Sequence, residues 1–295
     1  MPFVADEIAS QPDCWRRAAE LATTSGTIAA LPDRGARVAV VGCGTSLYMA
    51  QSFAALREGA GLGETDAFAA SEFPASREYD HVVALTRSGT TTEVVRLLAA
   101  LPPGRRSTVI TTGTDLPAAR EAGAVIVLDF ADERSVVQTR FATTALALWR
   151  AFVGEDLSAA IADAERETTA GEPTGLAARE QFTFLGTGWT VGLANEAALK
   201  CREAAQMWTE AYPAMEFRHG PVSVIGSESV VWFLGAPPAG LVDELSGTGA
   251  AIVDEPGIDP MALLVRAQRL AVALAARKGL DPDAPRNLTR SIVLS

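Results

Sequence analysis

The apolar positions of this chain fall into short continuous runs separated by longer stretches of helical composition. In the first half the runs cover 37–41, 81–85 and 107–111, and the Ala-rich stretch 47–58 follows the first of them. Short apolar runs bounded by turn residues are typical of strands that are buried on both faces. Because such strands alternate here with helices, we predict a parallel sheet with helices packed on both sides.

The second half of the chain repeats this layout. The turn Gly42-Cys43-Gly44, directly after the first run, recurs as Gly186-Thr187-Gly188, 144 positions later. A helical stretch follows each turn, and further apolar runs cover 182–185, 229–234 and 250–253. We therefore predict an α/β protein of two tandem three-layer αβα halves with mainly parallel sheets, flavodoxin-like in kind.

Segment boundaries are indicated by a charged helical stretch, 156–169, that precedes Gly171-Glu172-Pro173. Before the first apolar run, Pro12-Asp13 predicts the start of a helix. We predict four segments: an N-terminal helical arm (1–34), a first domain (35–154), a helical linker (155–174) and a second domain with a C-terminal tail (175–295).

The composition narrows the classes of function. A net charge of −11 argues against a nucleic-acid partner, because neutralising phosphates requires clustered Lys and Arg. The first residues lack a basic start followed by an apolar run, and no apolar stretch reaches the roughly 18 residues of a membrane span. Cys14, Cys43 and Cys201 are too widely spaced for a disulfide framework or a zinc site. We expect a cytoplasmic protein without a membrane partner or a metal.

Hydroxyl-rich turns follow two predicted strands of the first half, at Gly42 to Ser46 and at Thr86 to Thr91. Each turn leads into a predicted helix, where free backbone N–H groups and the helix dipole favour an anion. The second half has Gly235-Ala236-Pro237-Pro238 at the later position, which removes the hydroxyls and two backbone donors. We therefore expect the first half alone to bind a phosphate group.

Two other interpretations of these turns compete with a phosphate site. Ordinary N-caps and turn glycines explain either turn alone, but not the pair on neighbouring strands. A dinucleotide site fits Gly42-x-Gly44 with Glu64 or Asp66 about 20 residues further on, yet Leu47 stands at the third glycine position. A P-loop is excluded, since the chain contains no Gly-Lys dipeptide.

The lysines and histidines that could act in catalysis are few: Lys200, Lys278, His81 and His219. On the predicted helix 191–207, Glu196, Lys200 and Glu203 follow an i, i+4, i+7 spacing that puts them on one face. A solvated ion pair on a surface helix is the simpler interpretation of that spacing. The apolar residues around the stripe favour a cavity instead, in which Lys200 would hold Glu203 ionised.

Seven stretches of the chain match one family in the family's order: CGTS (43–46), ASEF (70–73), SGTT (88–91), QTRFATT (138–144), NEAALKCRE (195–203), EAY with RHGP (210–212, 218–221) and PRNLTRS (285–291). They span nearly the whole chain. On these stretches the sequence resembles the sugar isomerase (SIS) family, and within it the isomerase part of glucosamine-6-phosphate synthase and related sugar-phosphate isomerases and deaminases. The resemblance implies SIS-type halves.

The resemblance also implies roles for particular residues. Phosphate contacts fall on Ser46, Thr86, Arg87, Ser88 and Thr91. Contacts along the sugar fall on Cys43, Gly44, Thr45, Val136 and Gln138. Glu203 matches the carboxylate that moves a proton between C1 and C2, and His219 matches the ring-opening imidazole contributed by the neighbouring subunit. A homodimer with shared active sites is therefore expected, and no cofactor is implied.

Three features depart from the family pattern. The chain has no glutaminase domain and no N-terminal cysteine nucleophile, so amide transfer from glutamine is not expected. Arg87 replaces the usual Gln, and Arg290 stands where the lysine of PRNL-x-K is expected. Because a guanidinium cannot form an imine, we predict that Arg290 donates hydrogen bonds to sugar oxygens.

The function expected is aldose–ketose isomerisation, or the related deamination, of a hexose or hexosamine 6-phosphate. Glu203 would act as the general base, supported by Lys200, and His219 as the ring-opening acid/base. A sugar-phosphate-binding regulatory protein without chemistry is the alternative. The presence of both Glu203 and His219 favours an enzyme.

Overall fold

The computed structural model describes residues 2–171 and 176–294, so the predicted link at Gly171-Glu172-Pro173 lies partly outside the described residues. The helices are α1 (Phe3–Ala9), α2 (Gln11–Ala22), α3 (Ser25–Ala30), α4 (Thr45–Gly59), α5 (Thr92–Ala99), α6 (Pro117–Glu121), α7 (Arg140–Phe152), α8 (Ser158–Thr169), α9 (Thr190–Ala205), α10 (Leu241–Ser246) and α11 (Pro260–Arg277). The strands are β1 (Val38–Gly42), β2 (Thr65–Ala69), β3 (His81–Leu85), β4 (Arg106–Thr111), β5 (Ala124–Val127), β6 (Gln181–Gly186), β7 (Thr209–Pro213), β8 (Ser229–Leu234) and β9 (Ala251–Val253).

The first sheet is parallel throughout and has the strand order β2-β1-β3-β4-β5. This is the flavodoxin-like order, in which the chain turns from one direction across the sheet to the other between β1 and β3. In open α/β sheets, ligands bind beyond the carboxyl ends of the strands at such a switch point. The topology therefore points to the turns after β1 and β3.

The second sheet is also parallel, with the order β7-β6-β8-β9. β6 takes the central position that β1 holds in the first sheet, and β7 and β8 flank it as β2 and β3 flank β1. The predicted α/β class with two parallel αβα halves is confirmed.

Burial explains why the sequences of the central strands are continuously apolar. Every residue of β1, β3 and β8 is buried, because helices cover both faces of each sheet. On one face of the first sheet, Ala39, Val41 and Val82 pack against α5 and α6. On the other side α4 contacts α7, where the Phe53 and Trp149 rings stack with centroids 4.4 Å apart.

Three strands that the apolar runs did not predict are β2, β5 and β7. Each lies at an edge of its sheet, and most of its residues are only partly buried. An edge strand has fewer neighbours to cover it, so its residues need not be continuously apolar. The sequence TDAFA of β2 illustrates this.

Two compact units make up the chain. One consists of the described parts of Met1–Pro12, Arg134–Thr139 and Ser158–Leu288, and the other of Asp13–Glu133, Arg140–Leu157 and the tail from Thr289. The four segments drawn from the sequence stay predictions. Within residues 2–171 and 176–294, no helix combines the length and the apolar character needed to cross a bilayer.

Candidate functional site

The turn between β1 and α4 depends on two glycines. A Cβ on Gly42 would lie 2.6 Å from the carbonyl carbon of Ser46, so only glycine allows the helix to begin this close to the strand. Gly44 has φ +55°, in the left-handed region that favours glycine. The predicted ligand residues Cys43, Gly44, Thr45 and Ser46 therefore lie at the amino end of α4. Ser46 is a buried residue, and within the described chain its hydroxyl makes no hydrogen bond.

The turn between β6 and α9 has two glycines like those of the turn between β1 and α4, but its hydroxyl group makes different hydrogen bonds. Gly188 has φ +58°, and a Cβ on Gly186 would clash with the backbone oxygen of Thr190. The Thr190 Oγ1 accepts a hydrogen bond from the Thr187 N–H at 2.8 Å and donates to the Thr187 oxygen at 3.1 Å. This turn therefore uses its own hydroxyl and a loop N–H internally, whereas Ser46 stays available. The contrast supports the prediction of a phosphate site in the first half alone.

The turn between β3 and α5 presents several hydroxyl groups. The Thr86 Oγ1 accepts from the Gly89 N–H at 3.2 Å, and the Ser88 Oγ accepts from the Thr90 N–H at 3.2 Å. Both hydroxyl protons are left to donate to an anion. Thr91 directly precedes α5 and makes no side-chain cap. The phosphate contacts of Thr86, Ser88 and Thr91 stay predictions that this geometry supports.

The two hydroxyl turns lie side by side, because β1 and β3 are hydrogen-bonded neighbours with Val41 opposite Ala84. Carboxyl ends of parallel strands meet at one edge of the sheet, so 43–46 and 86–91 converge there. The structure thus brings together eight of the predicted ligand residues, Arg87 included, at the switch point of the first sheet.

Arg87 lies inside the protein, with a side chain that is only 1% exposed. Its Nη1 is 3.7 Å from the Oε2 of Glu133, whose side chain is fully buried, and its Nη2 donates to the Arg290 carbonyl oxygen at 3.2 Å. A buried guanidinium needs a compensating charge, which Glu133 supplies. The arginine that departs from the family pattern therefore has an acidic partner, and its phosphate contact stays a prediction.

Arg290, predicted to bind the sugar, donates from Nη2 to the Asp132 Oδ1 and from Nη1 to the Glu133 carbonyl oxygen. A guanidinium has five N–H donors, so donors are left for a sugar oxygen. The predicted sugar contact stays a prediction. The observed contacts show that Arg290 joins the C-terminal segment to the turn that follows β5.

Val136 and Gln138 lie in Arg134–Thr139, a segment that belongs to the unit containing the second sheet. The Glu7 carboxylate of α1 fixes this segment by accepting from the Arg134 N–H, the Ser135 N–H and the Ser135 hydroxyl. The Gln138 Oε1 is buried without a hydrogen-bond partner among the described residues. An unsatisfied buried amide oxygen is costly, and a ligand hydroxyl would satisfy it.

On α9 two of the three charged residues of the stripe are buried. Lys200 Nζ lies 3.3 Å from Glu196 Oε1 and 2.5 Å from Glu203 Oε2. The side chains of Glu196 and Lys200 are 0% and 1% exposed, whereas that of Glu203 is 21% exposed. Burial alone would lower the pKa of the Lys200 ammonium, but the two carboxylates outweigh it and raise the pKa. The surface-pair interpretation is therefore wrong, and Lys200 stays charged beside a partly accessible Glu203.

The two histidines differ in their surroundings. His219 is exposed at the end of a short 3-10 helix, Glu216–His219, and contacts no other described side chain through a hydrogen bond or ion pair. His81 opens β3 inside the protein, with Nε2 2.9 Å from the Thr108 Oγ1. Burial lowers the pKa of the His81 imidazole to about 4, so His81 is a neutral packing residue. His219 stays the candidate for ring opening.

The cysteines are unpaired thiols. Burial, with the nearby Glu93 carboxylate, raises the pKa of the Cys43 thiol, which keeps it protonated in the turn. Burial raises the pKa of Cys201 to about 12. Cys43 therefore suits a packing role next to the ligand rather than a nucleophilic one. In the part of the chain that the structure describes, no group of three or more His, Cys, Asp and Glu side chains could hold a metal ion.

The sequence analysis missed the acidic pair Asp132 and Glu133, which contacts Arg290 and Arg87. The sequence indicates these residues only indirectly. Arg87 stands at a buried position where the family has a neutral residue, and a buried cation requires an acid within reach. The Asp132-Glu133 pair, just beyond the last strand of the first sheet, meets that requirement, but sequence spacing could not identify it.

Comparisons with known proteins agree with this architecture. The glutamine–fructose-6-phosphate aminotransferase (isomerizing) of Caulobacter vibrioides is 28% identical over 99% of this chain and 59% of its own length. Across the curated relatives that match most of this chain, the chain spans about half of their length. No family model matches the chain.

Solved structures extend the agreement to the whole chain. A glucosamine-6-phosphate deaminase from Thermotoga maritima superposes with a TM-score of 0.83 at 25% identity and covers 99% of both chains. The tagatose-6-phosphate ketose/aldose isomerase of Escherichia coli shares the fold, with a TM-score of 0.80 at 19% identity over 100% of this chain and 98% of its own. With the turns of both halves, these similarities confirm the resemblance: the chain is similar over its whole length to sugar-phosphate isomerases and deaminases, and its two halves have the sugar isomerase (SIS) type of fold.

Proposed function

We propose that this protein is a phosphosugar isomerase or deaminase that acts on a hexose or hexosamine 6-phosphate by an enediol-type proton transfer. The observation that carries the proposal is the buried Lys200 between two carboxylates, of which only Glu203 is partly accessible. Burying Glu196 and Lys200 on one helix face beside a third charged group is costly unless they serve chemistry. The names of the similar proteins, which act on fructose, glucosamine or tagatose 6-phosphates, support this substrate class.

The chemistry follows from a partly accessible carboxylate that lies beside an ammonium group. Glu203 would remove the proton on C2 of the open-chain aldose, and the same carboxyl would return it to C1 after a proton has moved between the two oxygens. With an amine on C2, the same shift produces a ketimine, which water hydrolyses to the ketose and ammonia. His219 would open the sugar ring before this step. No step requires an organic cofactor.

A shared active site in a homodimer is part of the proposal. His219 is exposed, and the apolar side chains of Met215 and Val224 on either side of it in sequence are 51% and 56% exposed. Exposed apolar side chains around a candidate catalytic residue are typical of a surface that a partner covers. We place the protein in the cytoplasm, where its free thiols stay reduced.

The phosphate assignment is tested by Ser88→Ala. Loss of a hydroxyl donor to a phosphate oxygen removes a charge-assisted hydrogen bond, worth about 1 to 2 kcal/mol, which is a weakening of about 5- to 30-fold. Isothermal titration with the accepted sugar 6-phosphate measures it. The matched control is Ala236→Ser, which adds a hydroxyl to the corresponding turn of the second half and should leave affinity unchanged. A crystal with the ligand's phosphate on the second half would contradict the assignment.

The reaction itself is tested by proton exchange. The protein is incubated in heavy water with fructose, glucose, glucosamine and tagatose 6-phosphates, and NMR follows deuterium at C1 and C2 while an enzymatic assay follows ammonia. An isomerase incorporates deuterium without ammonia, and a deaminase releases ammonia from the amino sugar alone. Tight binding of a sugar phosphate without exchange would replace the enzyme with the regulatory alternative.

A further inference from the structure

We propose that Asp132 and Glu133 are positioning residues of the phosphate site, which fix the C-terminal segment Thr289–Leu294 across the turn between β3 and α5. We call this segment the tail. The inference rests on the proposed function where it concerns sugar-phosphate binding, while the placement of the tail stands on contacts within one compact unit.

The tail makes hydrogen bonds with the turn at three points. The Thr92 N–H, at the start of α5, donates to the Ile292 carbonyl oxygen at 3.0 Å, and the Leu294 N–H donates to the Thr92 Oγ1 at 2.8 Å. The Thr90 and Ser291 hydroxyls are 2.9 Å apart. The tail thus supplies partners to the first helical N–H and to two hydroxyls, and the conformation of 90–92 depends on where the tail lies.

Charged contacts anchor the tail. Arg290 donates to the Asp132 carboxylate and to the Glu133 carbonyl oxygen, and its own carbonyl oxygen accepts from Arg87 at 3.2 Å. Arg87 in turn faces the Glu133 carboxylate at 3.7 Å. Two arginines and two acids therefore alternate in one network, which joins the tail to a residue of the phosphate turn. Both arginines stand where the family pattern has other residues.

The Asp132-Glu133 turn is itself fixed to α7. The Glu133 Oε1 accepts from the Arg140 N–H at 2.8 Å, at the amino end of α7, and the Arg140 Nε donates to the Asp132 carbonyl oxygen at 3.0 Å. A carboxylate there satisfies an N–H that the helix leaves open and interacts well with the helix dipole. The anchor point is therefore rigid, and the tail takes its position from α7.

The two ion pairs of the network differ in exposure. Arg87 and Glu133 are 1% and 0% exposed, so salt screens them little. The side chains of Arg290 and Asp132 are 38% and 47% exposed, so their attraction is weaker and falls with ionic strength. The Asp132–Arg290 pair is therefore the link whose loss frees the tail without disrupting the core.

Asp132→Asn tests the network. It keeps the size of the side chain but removes the charge that holds Arg290, so the tail spends more time detached. Hydrogen exchange of the tail amides and of the Thr92 N–H, followed by mass spectrometry, should become about 3- to 10-fold faster. KM for the accepted sugar 6-phosphate should rise by a similar factor with kcat unchanged. The matched control is Asp129→Asn, because among the described residues this exposed carboxylate accepts a hydrogen bond only from the Phe130 N–H, and it should change neither quantity.

Salt and charge reversal separate anchoring from a general loss of stability. In the wild type, raising ionic strength from about 0.05 to about 0.5 M should speed tail exchange, whereas the Asp132→Asn variant should respond little. The double variant Asp132→Arg with Arg290→Asp restores an opposite-charge pair and should slow tail exchange again. If the Asp132 carboxylate had only a general structural role, tail exchange would not depend on salt in this way, and the double variant would not slow it.

Each outcome decides the proposal. Unchanged tail exchange in Asp132→Asn overturns the anchor, and faster exchange with an unchanged KM overturns the positioning role. If no sugar phosphate is turned over, the proposed function fails by itself. In that case we compare wild type and Asp132→Asn by two measurements, the hydrogen exchange of the tail and the affinity for inorganic phosphate. Unchanged values in the variant would overturn the proposed network.

Discussion

Replacing Glu203 by Gln should lower kcat for the accepted sugar 6-phosphate by about 10²- to 10⁴-fold, the contribution of a positioned general base. The amide has nearly the shape of the carboxylate and can still accept from Lys200 through its oxygen, so KM should change little. The measurement is deuterium incorporation at C1 and C2, run beside ligand titration. The control Glu121→Gln removes an exposed carboxylate on α6 and should leave kcat unchanged.

Wild-type kcat in Glu203→Gln would contradict the assignment of the base. The same variant also tests the shared site. When it is mixed with His219→Ala, half of the dimers are hybrids with one intact site of two, so about one quarter of wild-type activity should return if subunits exchange at random. No recovery after subunit exchange has been verified would count against sharing, while the role of Glu203 would stand on its own kinetics.

Replacing Lys200 by Met should cost about 3 to 5 kcal/mol of the free energy of unfolding, because it removes the cation that lies between two carboxylates, one of them fully buried. The loss of stability depends on pH in a definite direction. In the variant the folded-state pKa of Glu196 rises above its unfolded value, so folding takes up a proton and the stability deficit narrows from pH 8 to pH 5. In the wild type the raised pKa of Lys200 contributes stability below about pH 10.4, which is lost only as pH rises further.

Lys278→Met is a sharp control, since the chain has no third lysine. Lys278 Nζ donates to the Ala205 carbonyl oxygen at 3.0 Å on the surface, so its replacement should cost no more than about 1 kcal/mol. Urea unfolding at pH 8 and pH 5 measures both variants. A Lys200→Met protein as stable as Lys278→Met at pH 8 would show that Lys200 does not hold the two carboxylates together in the folded state.

Local pattern alone specified much of this protein. The central strands are buried on both faces, so they must be continuously apolar, and β3 and β8 were predicted to the residue. The repeat at 144 positions survives because each half needs Gly42 or Gly186 where a helix begins against a strand end, and Gly44 or Gly188 at a positive φ. Such requirements are set by backbone sterics, which act over a few residues and are therefore visible in the sequence.

Long-range packing decided the rest. The spacing of Glu196, Lys200 and Glu203 is the same for a solvated stripe and a buried one, and only the packing around α9 shows that two of the three are buried. Edge strands such as β2 carry no continuous apolar signal. Asp132 and Glu133 meet Arg290 about 157 positions away in sequence, and no local rule couples residues that far apart. Charge compensation depends on distance in space, so it emerges only when the chain is folded.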